Sequence, residues 1–180
     1  MSAFELYVNE NNFTATKIPE IQVNSLVNAI RSTILSSGCI WIAGNGGSSS
    51  TASHAACDLA KGVSLKNGHP VRAISLMDQI ATLAAWSNDC GFDEAISNMC
   101  KQNLQKGDLL IVISASGNSN NVIKAVMTAR EMGVKTASLT GYDGGDVKEL
   151  TEINVNIPSQ DMQIIENLHL MIVHWLFKAI

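Results

Sequence analysis

CIWIAGNGGS, residues 39–48, decides the fold. Residues 39–43 form a short run of apolar and small side chains with no alternation, the pattern of a strand buried on both faces. Gly44-Asn45-Gly46-Gly47-Ser48 follows, and a helical pattern begins immediately afterwards. Glycines let the backbone approach a ligand closely, and the helix start offers free N–H groups with a partial positive charge. The same arrangement recurs in LLIVISASGNS, residues 109–119, where a second apolar strand ends in Ser114-Ala115-Ser116-Gly117-Asn118-Ser119 ahead of another helix. Both loops fall at the carboxyl ends of strands, where open α/β sheets take their ligands.

Working outward, shorter apolar runs at 71–76, 136–139 and 153–157 add three more buried strands. Helical spacing appears at 21–34 (Val23, Leu26, Val27, Ile30, Ile34), 49–61, 79–86, 92–105, 121–132 and 162–179. Alternating strand and helix predicts a doubly wound α/β fold: a five-stranded parallel sheet of the flavodoxin-like kind, flanked by helices. With no internal repeat or linker, one domain over residues 1–180 is expected, with a helical segment at about 1–37 and a final helix at about 162–179. That last helix is apolar nearly all round, which predicts burial between subunits.

The chain of 180 residues is 46% hydrophobic, enough to fill a core, and its net charge of −4 comes with no basic block. A nucleic-acid partner is therefore not expected. No apolar run approaches the roughly 20 residues of a membrane span, and the amino terminus lacks a signal-like apolar stretch, so a cytoplasmic protein is expected. Cys39, Cys57, Cys90 and Cys100 form no CxxC pair and read as reduced, buried thiols.

Neither loop carries the Walker lysine or GxGxxG spacing, so the hydroxyls point to a monophosphate rather than a nucleotide. Either loop alone also fits an ordinary turn with a helix cap, and it is the pair that favours a ligand site. Candidate chemistry lies elsewhere. His54 and Asp58, four apart, share a helix face and suit a metal pair or an acid/base pair. The final helix offers Glu166, His169 and His174, of which Glu166 and His169 form a local i, i+3 pair. Each histidine also fits a core or interface role, and His69 lies in a turn expected to be exposed.

The two loops, with HAACD from His54, SNDCGFDEAIS from Ser87, ASLTGYDGG from Ala137 and ENLHLMIVH from Glu166, resemble the sugar isomerase (SIS) domain family, in its phosphoheptose isomerase branch. The resemblance spans almost the whole chain. It implies conversion of sedoheptulose 7-phosphate to D-glycero-D-manno-heptose 7-phosphate through an enediol, a first step toward nucleotide-activated heptose for surface glycans. It further implies a homotetramer with active sites between subunits, and one zinc ion per subunit. Carried over residue by residue, it makes His54, Asp58, Glu166 and His174 metal ligands, with Asp58 the base and His174 the acid/base. Phosphate falls to Ser48, Ser114, Ser116, Ser119 and the amides of Gly46 and Gly47, and sugar hydroxyls to Asn45 and Asp89. Asp89 equally suits a helix cap before Gly91. Three positions depart from the family pattern: Asp58 replaces a glutamate, Glu166 a glutamine, and Ala115 a threonine or serine. The alternatives are a non-catalytic SIS protein, such as a phosphosugar sensor or a tetramer binding a replication initiator, and an isomerase of another phosphosugar.

Overall fold

The computed structural model describes residues 1–180. Strands β1 (Cys39–Gly44), β2 (Arg72–Ser75), β3 (Leu109–Ser114), β4 (Lys135–Thr140) and β5 (Ile153–Asn156) form one sheet in the order β2-β1-β3-β4-β5. Every pairing is parallel, as the unalternating apolar runs require. The order reverses direction between β1 and β3, which are neighbours with Gly44 opposite Ile113. Both loops singled out in the sequence therefore open side by side at this switch point, the usual ligand crevice of such sheets.

Side chains alternate across the sheet and build a core on each face. On one face, Ile40, Ile42, Ile111 and Ile113 pack with α2 (Glu20–Leu35), α3 (Gly46–Cys57) and α9 (Met162–Ala179). On the other, Trp41, Ala43, Leu110 and Val112 meet α6 (Phe92–Asn103), α7 (Asn120–Glu131) and α8 (Gly145–Leu150). Leu26, Ile30 and Ile96 are wholly buried, each contributing about 1.5–3 kcal/mol relative to exposure. At the end of the sheet away from the crevice, the buried Asp108 carboxylate accepts from Cys39 N (2.8 Å), Trp41 Nε1 (2.9 Å) and Gln105 N (3.0 Å). That carboxylate is fully engaged in tying β1 to the turn before β3.

The helical segment expected at about 1–37 consists of α1 (Ala3–Ala15), held by a capping box between Ser2 and Glu5, and α2. Several other boundaries differ from the sequence reading. α5 (Ile80–Cys90) runs past Trp86 to end at Gly91, whose φ of 86° suits glycine. The short α8 was not expected. α3 begins at Gly46 rather than 49 and gives way to a π-helical turn, Asp58–Val63, before α4 (Ser64–Asn67). Only two of the four free cysteines are buried: Cys39 and Cys100 lie in the core, whereas Cys57 and Cys90 are exposed at helix ends. Burial pushes the Cys100 thiol up to about 12 and that of Cys39 to about 11, so both stay protonated and inert at neutral pH. No helix is long and apolar enough to cross a membrane.

Candidate active site

The glycine loop after β1 and the serine loop after β3 enclose a cleft of about 290 Å³. Asn45, Gly46, Gly47 and Ser48 line it from the first loop, and Ser114, Ser116 and Ser119 from the second. Met162 and Glu166 of α9 close one side. No lysine or arginine lines it, so an anion there meets hydroxyls and the N–H groups of two helix starts. The serine loop is braced from behind. Gly117, at φ 65°, lies so close to Gly144 that a side chain would collide with it, and its carbonyl accepts from Val147 N at 3.0 Å. Asn118 Oδ1 accepts from Asp146 N, also at 3.0 Å.

The two loops are joined directly by a residue that sequence reasoning missed. Asn45 Nδ2 donates to Asn121 Oδ1 at 2.8 Å, and Asn121 Nδ2 donates to Asn45 Oδ1 at 2.9 Å. Asn121 sits in the first turn of α7 and is 2% exposed. No sequence signal links two asparagines 76 positions apart.

Helices α3 and α9 run side by side in the same direction. Glu166 lies against Gly47, His54 against His174, and Gly62, within the π-turn, against the ring of Phe177. A Cβ on Gly47 would stand 2.7 Å from Glu166 Oε2, so glycine there is what admits the carboxylate. Eight residues farther along α9, His174 Nε2 is 3.1 Å from His54 Nε2, with the rings edge to face at 66°. His54 Nε2 is also 3.3 Å from Asp58 Oδ2. Ligand atoms of His54, Asp58 and His174 all lie within 4.8 Å of one another. A single proton between the imidazoles satisfies at most part of this set. Two imidazole nitrogens and a carboxylate are the donors that zinc prefers, and a divalent cation at their centre would satisfy all three.

The structure does not bring Glu166 into this cluster; its carboxylate borders the anion cleft instead. Nor does it pair Glu166 with His169. His169 is 1% exposed and points the other way, its Nε2 donating to the Thr140 carbonyl at 3.0 Å. Burial holds its pKa down to about 4, so it remains neutral, a core histidine docking α9 on the end of β4. Asp89 stands outside the cleft in the last turn of α5, exposed, accepting from Asn88 Nδ2 at 2.9 Å. It caps no helix, since α6 starts from Gly91. His69 is exposed in its turn.

Residues 10–141 match the SIS domain family. A phosphoheptose isomerase of Helicobacter pylori (strain Shi470) is 39% identical over 154 residues, which is 86% of this chain and 80% of its own. Among solved structures, the phosphoheptose isomerase of Neisseria gonorrhoeae superposes with a TM-score of 0.89 at 28% identity, covering 97% of this chain and 95% of that one. The phosphoheptose isomerase from Francisella tularensis gives 0.90 at 28% identity, over 98% and 93%.

Proposed function

The chain belongs to the phosphoheptose isomerase family of SIS domain proteins, and on that premise we propose that it isomerises sedoheptulose 7-phosphate to D-glycero-D-manno-heptose 7-phosphate. The observation that carries this reading is the convergence of His54, Asp58 and His174, from two helices far apart in sequence, near a cleft built for an anion. A protein that merely bound phosphosugars would have no use for that cluster.

The phosphate is anchored by Ser48, Ser114, Ser116 and Ser119 with the amides of the glycine loop, and Asp89 holds sugar hydroxyls; Asn45, expected to do the same, instead has both ends of its side-chain amide engaged by Asn121. Because Asp89 is remote from the cleft in a single chain, its part depends on the assembly. Asp58 removes the proton from the carbon beside the carbonyl, giving an enediolate, and returns it to the neighbouring carbon. His174 moves the proton between the two oxygens so that the hydroxyl and carbonyl exchange places. His54, Asp58 and His174 would hold zinc, without Glu166, whose carboxylate borders the anion cleft; bound there, the ion would act as a Lewis acid toward the developing oxyanion.

The same reading makes the whole chain a single SIS domain and the protein a cytoplasmic homotetramer serving surface-glycan synthesis. Support for assembly comes from a groove of about 350 Å³ between α2 and α9, where Met171 and Trp175 leave apolar surface exposed. The deciding experiment incubates purified protein with sedoheptulose 7-phosphate, with and without a chelator, and follows the aldose by NMR. Turnover that falls on chelation and returns with zinc is expected. No turnover under any metal condition would leave a phosphosugar-binding SIS protein as the better reading.

A further inference from the structure

We propose that the Asn45–Asn121 amide pair keeps the phosphate-facing start of α3 uncapped, which makes Asn121 a positioning residue for anion binding; the inference rests on the phosphate-cleft reading above. Asparagine at the first position of a helix normally turns its side-chain oxygen onto the N–H groups of the opening turn. Two other helices of this chain are capped in that way. Ser2 accepts from Glu5 N in α1, and Asp161 Oδ1 accepts from Gln163 N (2.8 Å) and Ile164 N (3.2 Å) in α9. Asn45 occupies the same position in α3, with extended backbone angles of φ −104° and ψ 154° from which capping is open to it, yet it makes no cap.

Its amide is turned away instead, held in the reciprocal pair with Asn121. Asn121 is almost wholly buried and Asn45 is its only side-chain hydrogen-bond partner, so losing the pair would strand two polar groups. The consequence falls on the cleft. A capping Oδ1 would occupy the opening N–H groups of α3 and place partial negative charge where the phosphate belongs. Paired to Asn121, Asn45 leaves those donors to the ligand, and the bridge also fixes the glycine loop relative to the start of α7. Ser119, the cap residue of α7, likewise makes no side-chain cap, so both helix starts facing the cleft are bare.

The test uses inorganic phosphate as probe, measured by calorimetry on full-length protein, beside KM and kcat for sedoheptulose 7-phosphate. In Asn121→Ala, Asn45 is released to cap α3, so the phosphate Kd and the KM should rise together by about five- to tenfold, with kcat within about twofold. Adding Asn45→Ala removes the competing oxygen and should bring phosphate affinity back toward wild type, a recovery that general loosening of the fold does not produce. Should Asn121→Ala fail to fold, Asn121→Ser carries the same comparison. Unchanged phosphate affinity in the single variant, or a double variant no tighter than the single, overturns the proposal. A protein that shows this binding pattern but turns over no heptose phosphate upholds the amide pair and removes the isomerase reading. A wild-type protein that binds no phosphate overturns both.

Discussion

His54 and His174 meet at 3.1 Å through their Nε2 atoms although 120 residues separate them. Both rings are exposed rather than packed in the core, so neither histidine is needed to fold the single chain. His174→Ala should therefore fold normally and lose about 10²- to 10⁴-fold in kcat, the usual cost of removing general acid–base catalysis. Steady-state assays beside a urea melt check both halves. Near-normal turnover would remove His174 from the mechanism.

Ser119 offers a separation of binding from stability. An N-cap serine that caps its helix costs roughly 1 kcal/mol when replaced by alanine. Because Ser119 makes no capping bond, Ser119→Ala should change stability by less than about 0.5 kcal/mol while raising KM several-fold. A stability loss with unchanged KM would mean that the hydroxyl serves α7 and not the phosphate.

His169 should make stability pH-dependent. Its folded pKa of about 4 lies below the ordinary 6.5, so the unfolded chain takes up a proton in a range where the folded one refuses it. The stability tied to its neutral form is complete above pH 6.5 and is lost as pH falls toward 4, at up to about 1.4 kcal/mol per pH unit. Chemical denaturation from pH 7.5 to 4 should show this slope in the wild type and a flatter one in His169→Gln. Equal slopes would assign the acid sensitivity elsewhere.

Trp175, 50% exposed beside the α2–α9 groove, should be covered in the assembled protein. Sedimentation at micromolar concentration is expected to give a tetramer, and Trp175→Glu a smaller species. A wild-type monomer would contradict the assembly, and with it a site shared between subunits.

The central strands were legible because they are buried on both faces: LLIVIS becomes Leu109–Ser114, and 39–43 becomes Cys39–Gly44, whereas the edge strands β2 and β5, also expected to be buried, are partly exposed. Helix ends were harder. Gly46 and Gly47 are poor helix formers, so the spacing starts α3 only at 49, and the apolar spacing of α5 stops at Trp86, whereas the helix runs on through exposed polar residues to Cys90. In the site, the i, i+4 spacing of His54 and Asp58 gave their proximity, but spacing along α9 could not say which face Glu166 and His169 present. That depends on where α9 docks, with Ile165 against Gly141 and His169 on Thr140. The Asn45–Asn121 pair is wholly tertiary and left no trace in local pattern.

The π-helical turn at Asp58–Val63 amounts to one surplus residue wound into an otherwise α-helical rod. Removing the exposed Lys61 should let the turn relax to α-helix, keeping His54 and Asp58 one turn apart while changing how the chain reaches β2. The rod thus carries built-in slack, so single-residue deletions in this stretch should be tolerated by the fold better than elsewhere in α3. Length variation among related chains is expected to concentrate there, with the geometry upstream of Asp58 held constant.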